Sequence, residues 1–210
     1  MFKKSCLKVL LIIPDVIALI VIVYILVLLP WHTHWGATAA EVTMPLPGDE
    51  MIAAPNMQST RAITINAPPE KVWSWVVQLG QGRGGMYSYE WMENLVGCDI
   101  HNVYEIRPEL QTLQPGDKIR FGAPQGFPVI PVAAVDKPHA LILGGNPGGS
   151  WTLFLEPVNG GTATRLISRQ RNNFEPSIGN FIIWRVMTEP ISFIMEQKML
   201  REFKVLAEKG

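Results

Sequence analysis

Residues 190–208, PISFIMEQKMLREFKVLAE, are the stretch on which the predicted fold depends. Pro190 suits the first position of a helix, because its φ is fixed and its missing N–H has no partner to lose there. Neither Gly nor Pro follows before Gly210, so the pattern predicts a helix roughly 28 Å long. Its apolar residues share one broad face, which consists of Met195, Met199, Leu200, Phe203, Leu206 and Ala207. This pattern is typical of an amphipathic helix that lies on an apolar surface.

A carboxylate interrupts this apolar face. Glu196 lies within it, Ser192 lies close by, and Glu189 projects the same way from one turn earlier. Burying a carboxylate is costly unless it is paired or near water. Two interpretations follow: Glu196 tilts to the rim of the face, or the face lines a wet cavity. The methionines of the face suit either a plastic core or a surface that adapts to varied ligands.

The composition excludes some classes of protein. The 210 residues include 18 Lys and Arg and 18 Asp and Glu, so the formal net charge is zero. This neutral balance does not favour a nucleic-acid-binding protein, and the sequence contains no basic run interleaved with aromatic residues. The two cysteines, Cys6 and Cys98, are too few for a disulfide framework. Without its predicted membrane segment, the chain has the length of one globular domain.

A nearly unbroken apolar run, Val9–Leu29, is interrupted only by Pro14 and Asp15. It is about as long as a membrane-spanning helix. Lysines precede it, and neither Lys nor Arg follows it until Arg61. The positive-inside rule therefore predicts a single-pass membrane protein with residues 1–8 in the cytoplasm, a transmembrane helix over residues 9–29, and the remainder outside the cytoplasm.

A cleaved signal peptide is the alternative interpretation of this run. Ala37-Thr38-Ala39 fits the small-x-small rule for cleavage. The apolar run is longer than the ~7–15 residues of a signal-peptide core, and the site lies far beyond its end, so an uncleaved anchor is favoured. Residues 30–60 contain several prolines and little periodicity, which predicts a linker lying on the surface of a domain formed by residues 61–210.

The domain is predicted to begin with a strand and two helices. Arg61–Ile65 alternates between apolar and polar residues and indicates a strand. Pro68-Pro69-Glu70 then begins a helix whose apolar face includes Trp73. Tyr87–Val96 is predicted as a second, shorter helix, in which Tyr87, Trp91 and Leu95 follow helical spacing.

Cys98, Asp99 and His101 lie close together in the sequence. A metal site requires about three convergent protein ligands, and no second His/Cys pair with ligand spacing exists in the sequence. Residues adjacent in sequence rarely have the geometry of a Cys–His nucleophile pair. The sequence therefore predicts no metal site, no cofactor and no catalytic residue.

Strands and turns dominate from Pro115 onward. The predicted strands are Lys118–Phe121, Val129–Val135, Ala140–Leu143, Trp151–Glu156 and Thr162–Arg171. Asn159-Gly160-Gly161 is a strong hairpin signal. Consecutive hairpins without βαβ alternation predict an antiparallel meander.

Three arginines share one face of the last predicted strand: Arg165, Arg169 and Arg171. Either this face is solvated, or one or two of the arginines point inward at a polar ligand group or at Glu196. Ile178–Met187 is apolar but too short and too interrupted to span a membrane, so it is predicted as a core or interfacial helix.

The predicted order is strand, two helices, antiparallel meander and long C-terminal helix. With the run ITINAPPEKVW at residues 63–73, Pro115-Gly116-Asp117, the hairpin at Trp151–Arg165 and the final helix, the chain resembles the START-like SRPBCC superfamily of the polyketide cyclase/dehydrase and lipid transport type. The segments WGAT at residues 35–38 and PLPGDE at residues 45–50 resemble its membrane-anchored branch. The resemblance covers roughly residues 61–208. It implies an α+β helix-grip fold, in which an antiparallel sheet wraps around the C-terminal helix.

The resemblance implies a binding module, here membrane-anchored, for a hydrophobic small molecule or lipid. A sheet curved around one helix leaves a concave, mostly apolar space, in which a few polar groups orient the ligand. The candidate ligand-binding residues are Tyr87, Trp91, Arg169, Arg171, Glu196 and Met199.

Two other function classes remain open, because fold does not fix activity and the superfamily has no single catalytic motif to carry over. One is a cyclase- or hydrolase-type enzyme that uses the same cavity, with Asp99, His101 or Glu196 as general acid or base. The other is a non-catalytic envelope protein that binds a protein partner. A fully packed space between sheet and helix would favour the latter.

Overall fold

The computed structural model describes residues 15–16, 19–145 and 148–209. Within this part of the chain, six strands form one antiparallel sheet in the order β1-β6-β5-β4-β3-β2. The strands are β1 (Met57–Ile65), β2 (Lys118–Arg120), β3 (Val129–Asp136), β4 (Ala140–Gly145), β5 (Gly149–Val158) and β6 (Ala163–Asn172). Strands β2 to β6 form the predicted meander, and β1 closes the order by pairing with β6.

Helices flank this sheet, and one of them, Ala39–Thr43, lies within the predicted linker. They are α1 (Leu29–Thr33), α2 (Ala39–Thr43), α3 (Pro69–Val76), α4 (Glu90–Leu95), α5 (Ile178–Phe181) and α6 (Glu189–Glu208). Short π-helical segments precede α1 (Tyr24–Leu28) and join α5 to α6 (Ile182–Thr188), and 3-10 turns lie at Asp49–Ile52, Pro108–Leu110 and Asn159–Gly161. The predicted α+β class, with an antiparallel sheet and a long C-terminal helix, is confirmed.

The inner face of the sheet carries the main core. Alternate strand residues point toward it, among them Ile65, Leu153 and Leu166, all fully buried. The apolar face of α6 packs against them, as Phe203 illustrates, and Trp73 of α3 is buried in the same cluster. The amphipathic pattern of α6 therefore places its apolar face on the sheet, as the sequence predicts.

The outer face of the sheet is covered by residues 36–53, which we call the N-terminal strap. Leu46 of the strap is buried against Ala62 and Ile167, which point outward from β1 and β6. Gly48 has φ +90°, and a Cβ at this position would lie 2.7 Å from Cγ2 of Ile142, so the strap approaches the sheet too closely for a side chain there. Most of the predicted linker, residues 30–60, is thus packed structure, and β1 begins within it at Met57.

The predicted transmembrane helix Val9–Leu29 is contradicted. Residues 9–14 and 17–18 of this run lie outside the described residues, and the part of the chain that the structure describes contains no helix both long and apolar enough to cross a bilayer. The helical residues 19–33 end at Thr33. Trp31 already lies edge-on to Phe193 of α6, so the end of this segment packs on the domain. The prediction of a single-pass protein with its domain outside the cytoplasm is therefore wrong.

The segment Ile178–Met187 is helical, but it is not a core helix. None of the residues of α5 or of the π-helical segment that follows it is buried, and Ile178 is 83% exposed. Trp184 is partly covered by stacking on Phe174.

Candidate functional site

Two adjoining cavities lie along the inner face of the sheet. The first, which we call the central cavity, has a volume of about 230 Å³ and lies between the sheet and α6. The second, the side cavity, has a volume of about 500 Å³ and extends over β3, β4 and β5 toward Trp184. Phe121, Trp151 and Gln170 line both cavities, so the two lie side by side. The central cavity is lined by Met86, Ser88, Glu93, Phe121, Trp151, Gln170, Ser192, Met195, Glu196 and Met199.

A buried group of ionisable residues borders the central cavity. Arg61 of β1 is fully buried and points inward, because it lies on the same face of the strand as Ile63 and Ile65. Its Nη1 and Nη2 donate to the carboxylates of Glu196 and Glu189, respectively. We call these three residues and His32 the Arg61 cluster. Arg61 Nε donates to the carbonyl oxygen of His32 at 2.9 Å.

This cluster corrects one sequence-based interpretation. Glu196 is buried, as one of the two interpretations required, but its partner is Arg61 and not Arg169 or Arg171. Glu196 Oε2 also accepts a hydrogen bond from Gln170 Nε2 at 3.1 Å. Gln170 lies on β6 and points to the same face as Arg61. The carboxylate is thus fixed by one cation and one amide.

Burial changes the protonation of the cluster. It raises the pKa of Glu189 to about 7, with Arg61 opposing the shift and Glu196 adding to it. Burial, reinforced by the charge of Arg61, lowers the pKa of His32 to about 4. His32 is therefore neutral near pH 7, and Arg61 is the cation of the cluster.

Several carboxylate oxygens near the cavity are left without partners. Among the described residues, neither Oε1 of Glu196 nor Oε2 of Glu189 has a hydrogen-bond partner, although both atoms are buried. A buried acceptor without a donor costs about 1–3 kcal/mol. Such atoms mark a position where a donor from water or a ligand would be stabilising.

Glu93 of α4 is a further buried carboxylate, and the sequence did not predict it. It is 8% exposed and lines the central cavity, and its Oε2 has no partner in the described part of the chain. Burial, followed by the nearby carboxylate of Glu90, raises the pKa of Glu93 to about 7. The predicted face of this helix is reversed, since Trp91 is 67% exposed while Glu93 points inward.

The reversal has a local cause. Tyr87 has φ +54°, a left-handed conformation that a helix does not accommodate, so α4 begins only at Glu90. The side chain of Asn102 supports this conformation, because its Oδ1 accepts a hydrogen bond from the Tyr87 backbone N–H at 2.7 Å. The spacing of apolar residues in the sequence therefore pointed to the wrong face.

The predicted site residues fall into three pairs: one pair lines the central cavity, one lines neither cavity, and one lies on the outer face of the sheet. Glu196 and Met199 line the central cavity. Tyr87 is fully buried in the core, and its hydroxyl oxygen accepts a hydrogen bond from Gln78 Nε2 at 2.9 Å. Trp91 lies on the surface. Neither Tyr87 nor Trp91 is among the residues that line the two cavities.

Arg169 and Arg171 form the third group, on the outer face. Arg169 Nη1 donates to Asp49 Oδ2 and to the Met44 carbonyl oxygen, both at 2.7 Å. Arg171 Nη1 lies 3.0 Å from Asp49 Oδ1. Arg165 of the same strand face binds Glu41, with Nε 2.6 Å from Oε1. These arginines are neither solvated nor directed inward, because the N-terminal strap covers them.

Asp99 and His101 lie away from both cavities. The ring Nε2 of His101 is 3.3 Å from Asp99 Oδ1, and the two side chains are largely exposed. In the described ranges, no group of three or more His, Cys, Asp or Glu residues is arranged to hold a metal ion. Of the three residues considered as a general acid or base, only Glu196 lines a cavity.

No family model matches the chain, and no curated protein matches it in sequence. Its fold is similar to that of the Polyketide_cyc-like protein Cgl2372 from Corynebacterium glutamicum, with a TM-score of 0.38 and 15% identity over 72% of this chain and 89% of that one. The Aha1 dimer from Colwellia psychrerythraea gives a TM-score of 0.41 and 16% identity over 73% and 99% of the two chains. The protein NE0264 from Nitrosomonas europaea gives a TM-score of 0.46 and 14% identity over 73% and 95%. These likenesses concern the fold, so the function is argued below from the cavity residues.

Proposed function

We propose that this protein binds an apolar small molecule or lipid in the central cavity, between the inner face of the sheet and α6. The observation that carries the proposal is a mostly apolar cavity with a few buried polar groups along one side. Small-molecule sites have this composition and volumes of roughly 300–1,000 Å³. The central and side cavities, at about 230 and 500 Å³, offer space on this scale.

The walls of the central cavity combine an adaptable side with a rigid side. Met86, Met195 and Met199 contribute flexible, polarisable side chains that accommodate ligands of different shapes. Trp151 and Phe121 face them, with ring centroids 5.7 Å apart. The Trp151 indole is held in place, since its Nε1 donates to Ser168 Oγ at 2.7 Å.

Three further considerations favour ligand binding over the alternatives. A packed space between sheet and helix would have favoured a protein that only binds a partner, whereas this space contains a cavity. The resemblance of the sequence to the SRPBCC superfamily favours the same function, because that superfamily includes lipid carriers. A catalytic role would require a titratable group within reach of a substrate. Asp99 and His101 do not line the cavity, and Glu196, which does, is ion-paired with Arg61.

The test is fluorescence titration of the purified full chain with N-phenyl-1-naphthylamine, a neutral apolar probe that brightens in apolar surroundings. We expect saturable uptake by the wild-type protein. Met199→Trp should abolish it, because Met199 lines the central cavity and the larger indole fills the space. Val205→Trp is the matched control, since Val205 lies on the exposed side of the same helix.

Thermal unfolding of each variant shows whether the substitution preserves the fold. Should Met199→Trp fail to fold, Ser192→Trp replaces it, because Ser192 lines the cavity at a half-buried position. Absence of saturable uptake by the wild type would reject the proposed function. Equal uptake by folded Ser192→Trp or Met199→Trp would place the bound probe elsewhere and reject the proposed site.

A further inference from the structure

The polar atoms of the central cavity differ in whether they are already engaged. The donors are largely in use: the Ser88 hydroxyl donates to the Met195 carbonyl oxygen at 3.1 Å, and Gln170 Nε2 donates to Glu196. The indole N–H of Trp151 donates to Ser168. The acceptors are not all in use, because Glu93 Oε2 and Glu196 Oε1 lack partners among the described residues. The Ser192 hydroxyl remains as a donor at a half-buried position, but the fully buried polar atoms without partners in the described cavity wall are both acceptors.

The charges along the cavity have the same bias. Among the described residues, those that line the central cavity include Glu93 and Glu196 but neither Lys nor Arg. Arg61 stands behind Glu196, and each of its three nitrogens already donates, to His32, Glu189 and Glu196. An anionic head group would therefore meet carboxylates without a free cation to compensate it in the described part of the site.

Glu93 is distinguished from Glu196 by its surroundings. Glu196 is neutralised by Arg61, whereas the structure pairs Glu93 with no cation in the described ranges. The charge that acts most on Glu93 is the carboxylate of Glu90, which is repulsive. A cation or a strong donor bound here would relieve both the missing partner and the repulsion.

Resting on the proposed function, we infer that the ligand is an apolar molecule whose head group is a hydrogen-bond donor, a hydroxyl or a protonated amine, and that Glu93 holds this head group. The apolar body lies against Met195, Met199 and Trp151. A hydrogen bond to a charged acceptor corresponds to roughly a tenfold gain in affinity or more. Fatty anions of the same length bind more weakly, because their carboxylates meet that of Glu93.

The burial of Glu93 is consistent with this role. Its raised pKa means that the ionised form is disfavoured in the empty cavity, and an ammonium group bound nearby would favour ionisation. The measurement is therefore best made near pH 8, where Glu93 is largely ionised and an alkylamine keeps its proton.

The experiment is displacement of N-phenyl-1-naphthylamine from the full chain by decylamine, decanol and decanoate, which share a ten-carbon chain and differ in the head group. We expect decylamine to displace the probe at a concentration about tenfold lower than decanoate does, with decanol between them. Glu93→Gln should remove most of the preference for decylamine over decanoate, with each displacement compared with that variant's own affinity for the probe. Glu109→Gln, an exposed glutamate on a 3-10 turn, is the matched control and should keep the preference.

Each outcome decides between the two proposals. If the wild-type chain takes up the probe but binds decanoate as tightly as decylamine, the donor head group is rejected and the apolar binding function stands. If the preference for decylamine survives in folded Glu93→Gln, Glu93 is rejected as its anchor. Without probe uptake by the wild type, the proposed function itself is rejected. The wild-type comparison of the three head groups needs no variant, so it decides the ligand class even if Glu93→Gln does not fold.

Discussion

Two buried arginines, Arg61 and Arg169, lie on neighbouring strands but on opposite faces of the sheet. Arg61 on β1 pairs in register with Ser168, the residue before Arg169 on β6. Arg169 is surrounded by acceptors from the N-terminal strap and from Thr60, whose Oγ1 lies 3.1 Å from its Nε. Arg61 is also satisfied, but its partners Glu189 and Glu196 each keep a buried oxygen without a donor in the described residues.

The difference separates a structural arginine from one that supports a site. On the outer face, carbonyl groups and Asp49 complete the surroundings of Arg169, and the result is a clamp that holds the strap. On the inner face, the carboxylates exceed the donors available to them, and the cavity lies next to that excess. Burial and charge pairing alone would not distinguish the two arginines. The two arginines differ in that the carboxylates bound to Arg61 each keep a buried oxygen without a donor in the described residues.

The largest expected effect is that of Arg61→Met, which leaves Glu189 and Glu196 buried without a cation. Removing one partner of a buried ion pair costs about 3–5 kcal/mol, so the free energy of unfolding should fall by that amount. Urea unfolding monitored by tryptophan fluorescence gives the value. Adding Glu189→Gln and Glu196→Gln to the variant should restore part of the loss. An Arg61→Met protein as stable as the wild type would contradict the role of the cluster.

The next effect concerns how the free energy of unfolding depends on pH, which should differ between carboxylates on the two faces of the sheet. The pKa of Glu93 is raised from 4.5 to about 7, so ionisation is harder in the folded state, and the free energy of unfolding falls as pH rises through this range. The contribution at pH 8 is about 3 kcal/mol of destabilisation. Glu93→Gln should flatten this part of the profile. Glu189, whose pKa is raised to about 7 as well, should retain the remainder.

Glu41 on the outer face should behave with the opposite sign. Its hydrogen bond from Arg165 lowers its pKa, so it contributes stability above the usual glutamate pKa, and this contribution is lost as pH falls. Glu41→Gln should therefore weaken the protein near neutral pH and reduce its loss of stability in acid. Urea unfolding of both variants across the acidic and neutral range tests the pair. If Glu93→Gln and Glu41→Gln changed the pH dependence of the free energy of unfolding in the same direction, the contrast between the two faces would be contradicted.

The smallest effect is expected for Arg169→Met. Its hydrogen bonds to the Met44 and Val42 carbonyl oxygens are lost, but the strap lies at the surface, where water replaces donors, and Asp49 keeps Arg171. We expect a loss of about 1–2 kcal/mol in the free energy of unfolding. Uptake of the neutral apolar probe should be unchanged, because Arg169 lies on the opposite side of the sheet from the cavity. Lost uptake in a folded Arg169→Met protein would connect the outer face with ligand binding.

Regular periodicity explains what the sequence predicted well. The strands of the meander and the apolar face of α6 follow from alternation and helical spacing, and these local patterns are present in the sequence. The same alternation contained a signal that was not used. Arg61 shares its strand face with Ile63 and Ile65, so it could have been placed inward, opposite Glu196.

The remaining features depend on tertiary contacts. The direction of Glu93 depends on Tyr87, whose left-handed backbone is supported by Asn102 from the loop that follows α4. The partners of Arg169 come from the strap, more than a hundred residues earlier in the sequence, and no local pattern connects them. The predicted membrane span was wrong, because no helix in the described ranges is both long and apolar enough to cross a bilayer, and Trp31 at the end of the segment packs on Phe193 of α6.

The path of the chain around β1 also matters for self-association. β1 is an edge strand, and the free N–H and C=O groups of such a strand pair readily with another copy. The chain crosses this edge between His32, which lies on the inner side, and the strap on the outer side. At the crossing the Trp35 carbonyl oxygen accepts a hydrogen bond from the Ala62 N–H at 3.1 Å. The segment that holds both faces together therefore also shields the edge of the sheet, and a chain shortened to begin at β1 would expose that edge to edge-to-edge aggregation.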